Sequence, residues 1–318
     1  MVVIDPPRYL LGVMKMTKDE MIKEINRLKN EKNAIILAQY NQKDEVQDLA
    51  DSLGDSYNLS VIAQKTDAKI IVFCGVLFMG ETAKILSPDK KVLMPHKNLP
   101  CYMANLINAR SLRKYKEEHP DRVIISYVNT YADVKALSDC CVTSSNALKI
   151  LEHYKDQKIL YCPEKNLGNY AAKEYGYDID LWNGCCQIHD RLTLEDVKKA
   201  KEAHPNALFC VHPEAPYELT QIADYAGSTK GIIEYCTKSE ATEFIIGTEN
   251  GIMHELKKRN PNKKFYLLSD GLLCKSMKLI SLEDVYNCLL KEEFEVTLDK
   301  DIMDKARVAL DKMLELSK

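Results

Sequence analysis

Residues 34–56 read AIILAQYNQKDEVQDLADSLGDS, and the same grammar returns twice: RVIISYVNTYADVKALSDCCVTS at 122–144 and ALFCVHPEAPYELTQIADYAGST at 207–229. Each copy has a short apolar run, a polar cluster, an amphipathic stretch of about ten residues, then a small residue and an aspartate. Asp51, Asp139 and Asp224 mark the equivalent positions, spaced by 88 and 85 residues. The apolar run reads as a strand buried on both faces, as in a parallel sheet. The amphipathic stretch (Glu45–Ala50, Ala132–Leu137, Tyr217–Ala223) reads as the crossover helix, followed by a second strand that ends near Val142 in the middle copy. Five residues after each aspartate stand Ser56, Ser144 and Thr229, each expected to open a helix as its N-cap. Third strands follow at IIVFCG (70–75), KILYCP (158–163) and EFIIGT (243–248), with helices such as Phe78–Leu86 and Gly251–Arg259 behind them.

A period of about 85 residues makes the chain a threefold repeat of one supersecondary unit. The expected fold class is α/β: three similar three-layer α/β domains in a pseudo-threefold arrangement around a central cavity. The divisions are 1–106, carrying an N-terminal helix at about Lys18–Asn30, then 107–192 and 193–279. A C-terminal helical extension at 280–318, with a helix at about Asp299–Leu316, is expected to pack back on the first domain.

Composition narrows the function. Of 318 residues, 46% are hydrophobic and 29% charged, with a net charge of −3; this is an ordinary globular mixture. It lacks the basic footprint of a nucleic-acid binder. No apolar run approaches the ~18 residues that span a bilayer. The opening MVVIDPPRYLLGVMKMTKDE has neither a basic n-region nor a small-residue cleavage site, so it does not read as a signal peptide, and the expected location is the cytoplasm. The eleven cysteines are odd in number and contain no Cys-x-x-Cys pair. In a reducing compartment they are not a disulfide framework. Cys74, Cys162, Cys210 and Cys288 sit in apolar runs and read as small core residues.

Three others follow the repeat. Cys101, Cys186 and Cys274 lie 50, 47 and 50 residues after the three aspartates, in the loop-like contexts NLPCYMAN, NGCCQIH and GLLCKSM. Three converging thiolates with a vacant fourth position suit an iron–sulfur cluster or a zinc ion. An iron left open by such a set is a Lewis acid suited to dehydration. Cys185 is the rival to Cys186, and the spacing to His189 favours Cys186.

Ligands in parallel sheets bind beyond the carboxyl ends of the strands. There the repeat aligns Gln39, Tyr127 and His212, and two residues further on Asn41, Asn129 and Glu214. Glu214 is the candidate general base, with His212 and His189 for proton delivery or for holding carboxylates. Tyr127 and Asn129 complete the catalytic set. Ser56, Ser144, Ser228 and Thr229, at expected helix N-termini, are candidates for binding phosphate or carboxylate beside Gln39 and Asn41. The plain reading of the four hydroxyls is N-capping alone, and of the strand-end residues a hydrogen-bonded network without a chemical role.

The ordered set VQDLAD, GDS, FCGVLFMGETAKIL, PCYMAN, YVNT, VTSSNA, PEKNLG, NGCCQIH, HPE and GST, from about Asn33 onward, resembles the quinolinate synthase family. The resemblance implies a [4Fe-4S] cluster held by Cys101, Cys186 and Cys274. It implies condensation of iminoaspartate with dihydroxyacetone phosphate, with loss of phosphate and water, to quinolinate in de novo NAD synthesis. L-aspartate oxidase or aspartate dehydrogenase would supply the first substrate. The chain departs from the family's usual first strand end, Ala-His-Tyr/Asn-Tyr, with Ala38-Gln39-Tyr40-Asn41. Amides do not shuttle protons near neutral pH. Two alternatives therefore accompany this reading: a paralogue that runs a related condensation or dehydration on another small acid, and a non-catalytic iron–sulfur sensing module.

Overall fold

The computed structural model of the chain describes residues 16–318. The expectation about a leader segment therefore falls mostly outside the described residues. Among the described residues no helix is long and apolar enough to cross a membrane.

The apolar runs form strands that are buried along most of their length, as their lack of polar alternation requires. The first unit runs α1 (Lys18–Glu31), β1 (Ala34–Gln39), α2 (Asp44–Leu49), β2 (Ser52–Gly54), α3 (Ser56–Lys65), β3 (Ile70–Cys74), α4 (Leu77–Leu86) and β4 (Lys91–Leu93). The second runs α5 (Ala109–Glu118), β5 (Val123–Tyr127), α6 (Ala132–Lys135), β6 (Cys140–Val142), α7 (Ala147–Glu152), β7 (Ile159–Cys162), α8 (Lys165–Tyr175) and β8 (Ile179–Leu181). The third runs α9 (Leu194–Ala203), β9 (Leu208–Val211), α10 (Tyr217–Gln221), β10 (Tyr225–Ala226), α11 (Thr229–Lys238), β11 (Glu243–Gly247), α12 (Ile252–Arg259) and β12 (Lys264–Leu267). α13 (Leu282–Lys291) and α14 (Lys300–Leu316) close the chain.

The three sheets are parallel and share one topology: β2-β1-β3-β4, β6-β5-β7-β8 and β10-β9-β11-β12. The register is equivalent as well. Ala38 pairs with Leu53 and Cys74, Ser126 with Cys141 and Cys162, and Val211 with Ala226 and Gly247. The threefold α/β expectation is met. The fourth strand of each sheet was not foreseen, because KVL, IDL and KFYL are too short to carry a period.

The repeated aspartate fixes this register. In each unit it pairs with a residue of the first strand through two hydrogen bonds. Ile36 N–H donates to Asp51 Oδ2 (2.8 Å) and Asp51 N–H to Ile36 O (2.9 Å). The same exchange joins Ile124 and Asp139 (2.7 and 2.9 Å), and Phe209 and Asp224 (2.6 and 2.8 Å). A side chain thus supplies the acceptor that the strand lacks where the crossover re-enters the sheet.

α14 buries Ala306, Ala309, Leu310 and Met313, one stripe at helical spacing. It lies against α4 of the first unit and, more extensively, against α6, α7 and β6 of the second. α13 packs on α1 and β3. The C-terminal extension therefore reaches beyond the first unit and bridges it to the second.

Candidate functional site

All three first strands end at one cavity of about 390 Å³. β1 delivers Gln39 and β5 delivers Tyr127 at their last residues, and His212 follows β9 directly. Asn41, Asn129 and Glu214 line the same space two residues later. Tyr40, between Gln39 and Asn41, turns away; it is 4% exposed and packs into the core of the third unit with Ile232 and Phe244. It takes no part in the cavity wall.

Glu214 is the centre of a buried network. Tyr127 OH donates to its Oε1 at 2.6 Å, and His189 Nδ1 lies 2.9 Å from Oε2. His189 Nε2 is 2.9 Å from Thr248 Oγ1. The His189 and His212 rings stack with centroids 4.8 Å apart. The N–H of Glu214 donates to His212 Nδ1 at 3.2 Å, which assigns the proton of a neutral His212 to Nε2. Burial is the main reason that His212 is held down to about 4, so it stays neutral near pH 7. Burial alone would raise Glu214; its histidine neighbours and the Tyr127 hydroxyl outweigh that and hold it well below the usual carboxylate range. Because a neutral His212 contributes no charge, the hydrogen bonds from His189 and Tyr127 carry this effect. The candidate general base is thus held as an anchored carboxylate, with its carboxyl shifted down, not up.

The hydroxyl positions are partly corrected. Asp55 and Ser228, not Ser56 and Thr229, cap α3 and α11, through Asn58 N–H (2.8 Å) and Gly231 N–H (3.1 Å). Ser56 and Thr229 are the first helical residues and line the cavity. Ser144 lines it from a turn ahead of α7, whose flanking Asn146 folds back to accept Thr143 N–H. Ser228 is spent on capping and is not a lining residue. Several lining groups were not foreseen. Asp55 accepts Ser145 Oγ at 2.5 Å and so joins the first two units. Glu249 is buried, and Arg191 and Lys275 stand exposed at the cavity mouth. No repeat spacing singles out Glu249, Arg191 or Lys275, whereas Asp55 stands in the GDS stretch at the place that Ser228 holds in the third unit.

Cys101, Cys186 and Cys274, one from each unit, are half-buried and line the cavity, whereas Cys185 does not. Cys74, Cys162, Cys210 and Cys288 are buried in the core. Backbone N–H groups two and three residues on lie close to each lining sulfur: Met103 and Ala104 for Cys101, Ile188 and His189 for Cys186, Ser276 and Met277 for Cys274; those of His189 and Met277 donate to the carbonyls of Cys186 and Cys274, at 3.0 and 3.1 Å. Burial and the proximity of the other thiols and Glu214 push Cys101 up to about 12 and raise Cys186 well above the ordinary thiol range. Three thiolates thus need a cationic centre to coexist here. The three sulfurs are not all within 4.8 Å of one another; the donors that are so grouped are Cys186, His189 and Glu214. Backbone N–H groups close to the sulfurs suit thiolates that ligate a metal centre.

A sequence-family profile described as "Quinolinate synthetase A protein" matches residues 23–315. A quinolinate synthase of Caldicellulosiruptor saccharolyticus is 49% identical over 303 residues, covering 95% of this chain and all of the relative. One from Clostridium kluyveri is 48% identical over 297 residues, 93% of this chain and 98% of the relative. One from Clostridioides difficile is 46% identical over 303 residues, 95% and 99% of the two chains.

Proposed function

Because the chain belongs to the quinolinate synthase family and forms quinolinate for NAD synthesis, we propose that it condenses iminoaspartate with dihydroxyacetone phosphate, with a [4Fe-4S] cluster held by Cys101, Cys186 and Cys274. The observation that carries this reading is the convergence of three cysteine loops, one per unit, on one cavity. When bound, the cluster supplies Lewis acidity at an iron that has no protein thiolate.

The chain's own residues account for the rest. The N-terminal turns of α3 and α11, with Ser56 and Thr229, bind the phosphate or carboxylate groups, and Ser144 adds a hydroxyl from the second unit. Ser228 acts through its cap on α11. Arg191 and Lys275 draw the anionic substrates to the mouth. Tyr127 and His189 orient the Glu214 carboxylate, and neutral His212 offers its Nε2–H as a donor. Gln39, Asn41 and Asn129 align substrate by hydrogen bonds. Since Gln39 and Asn41 carry no titratable proton and Tyr40 is enclosed in the third unit, proton transfer falls to Tyr127, His189, His212 and Glu214. Eleven free thiols suit the reducing cytoplasm. An L-aspartate oxidase or dehydrogenase reaction is the source of the imine.

The test is anaerobic. Cluster-reconstituted protein is given dihydroxyacetone phosphate and iminoaspartate generated in situ, and quinolinate is read by mass spectrometry. A Gln39→His/Asn41→Tyr variant runs in parallel. Quinolinate from the unmodified chain is the expected result. Quinolinate from the double variant alone would instead favour a paralogue acting on a different acid.

A further inference from the structure

One of the three cavity sulfurs belongs to a second set of donors. Cys186 Sγ, a ring nitrogen of His189 and a carboxylate oxygen of Glu214 lie within 4.8 Å of one another, a grouping no other His, Cys, Asp and Glu side chains achieve among the described residues. A tetrahedral ion with bonds of about 2.0–2.3 Å places such donors about 3.3–3.6 Å apart. Side-chain movements of about 1 Å therefore bring all three onto one centre. Thiolate, imidazole and carboxylate together form a borderline-soft set that suits zinc, cobalt or ferrous iron and does not suit magnesium or calcium.

The surroundings are those of a metal site. Two anionic ligands and a dication sum to zero, which matters where His189 and Glu214 are 6% and 4% exposed. Both of these ligands have an outer partner that fixes orientation: Thr248 Oγ1 lies 2.9 Å from His189 Nε2, and Tyr127 OH donates to Glu214 Oε1 at 2.6 Å. All three residues line the cavity, which leaves room for a further ligand.

We infer that the cluster-free chain binds one divalent transition-metal ion of the zinc class through Cys186, His189 and Glu214, and that this ion and the cluster exclude each other. The exclusion follows because Cys186 serves both sets; that half of the inference rests on the cluster reading proposed above. The mononuclear half does not, since Cys101 and Cys274 take no part in it. Metal supply then decides which of two forms the same cavity adopts.

The experiment titrates the full-length, cluster-free chain with Co2+ alone under anaerobic conditions, followed by absorption spectroscopy, with Zn2+ as competitor. One Co2+ per chain is expected, with thiolate-to-cobalt charge transfer and the intense visible bands of a tetrahedral ion, all erased by Zn2+. Cys186→Ser removes the charge-transfer band. His189→Gln and Glu214→Gln each weaken binding at least tenfold. Cys101→Ser and Cys274→Ser leave the affinity within about twofold, because neither sulfur is a ligand in this set. Circular dichroism confirms that each variant is folded, and the two retained-binding variants keep the test decisive if a buried substitution unfolds the chain. Absence of stoichiometric binding, or its loss in Cys101→Ser or Cys274→Ser as in Cys186→Ser, overturns the site. Uptake of Co2+ at the same site by cluster-loaded protein overturns the exclusion. Failure of the cluster to assemble on the three cysteines would sink the cluster reading and leave the cobalt result standing.

Discussion

The carboxylate of Glu249 accepts the backbone N–H of Cys274 at 3.0 Å, so a cysteine of the cavity is held through its own main chain by a buried charge. The other carboxylate oxygen accepts Gly251 N–H at 2.7 Å. Lys278 Nζ lies 3.2 Å from the same carboxylate and donates to Asn41 O at 2.6 Å. One ion pair therefore fixes the third cysteine loop relative to the strand end of the first unit. The Gly251 backbone packs so closely on Asn41 that a Cβ there would stand 2.6 Å from Asn41 Cα.

Glu249→Gln should uncouple these two loops. The amide keeps one acceptor, turns an N–H toward another N–H, and leaves Lys278, whose side chain is only 19% exposed, without its counter-charge. A broken buried pair of this kind costs about 3 kcal/mol. The expected outcome is a lower denaturation midpoint together with reduced iron per chain after reconstitution. Full iron loading at unchanged stability would show that Glu249 does not position Cys274.

Asn41 carries the opposite balance. Its Oδ1 is buried without a hydrogen-bond partner, and a buried unpaired carbonyl costs about 1–3 kcal/mol. Asn41→Leu removes that atom at similar volume. The protein should become as stable as the parent or more so, while KM for the three-carbon phosphate or the imine rises by about tenfold, the equivalent of one lost hydrogen bond. Thermal unfolding and initial-rate kinetics measure the two effects separately. A stability loss with unchanged KM would assign Asn41 to structure alone.

Acid sensitivity is expected at a site far from the cavity. Glu292, just past α13, takes Lys32 on one oxygen and Lys91 on the other, each at 2.6 Å. The Lys32 hydrogen bond, then that of Lys91, lowers its carboxyl to about 2. A depressed folded value means that the stabilisation is present above the unfolded carboxyl value of about 4.3 and is lost as pH falls through the folded value. The pairs are partly exposed, so about 0.5–1 kcal/mol is the expected scale for Glu292→Gln at pH 7. In urea titrations between pH 7 and 2 the difference from the parent should be constant down to about pH 5 and then close. A constant difference across the whole range would mean that charge is not its source.

What was legible in the sequence depended on period. The repeat alone aligned Ala38, Ser126 and Val211, and these residues occupy equivalent register positions in three sheets of one topology. It therefore also brought Gln39, Tyr127 and His212 to one cavity. Asp51, Asp139 and Asp224 were visible as markers, but their shared hydrogen-bond exchange with the first strand was not, because that bond spans fifteen residues and leaves no helical or strand period. Glu249 and Arg191 were invisible for a related reason: the repeat offers no equivalent polar residue at all three positions. Asp55 does share its place, four residues after the aspartate, with Thr143 and Ser228, but its bond to Ser145 of the second unit leaves no trace in the spacing. The caps at Asp55 and Ser228 were missed by one residue, since a Ser or Thr at the first helical position looks the same in sequence as one at the N-cap.

Tyr127→Phe tests whether the anchored carboxylate is part of the chemistry. The substitution removes the 2.6 Å donor from Glu214 Oε1 and leaves the ring in place. A hydrogen bond to a charged acceptor contributes about 1.5–3 kcal/mol, which corresponds to a rise of about 1–2 units in the carboxyl pKa. His189 still holds the second oxygen at 2.9 Å, so the carboxylate keeps its position while its protonation shifts. If the ionised form is the active one, the acid limb of the kcat/KM profile moves to higher pH by that amount, and the extra loss of activity is confined to that acid limb. Glu214→Gln, which removes the ionisation altogether, should abolish that limb. An acid limb that stays in place in Tyr127→Phe, with activity lowered equally at every pH, would assign the Tyr127 hydroxyl to substrate contact and leave Glu214 without a titrating role.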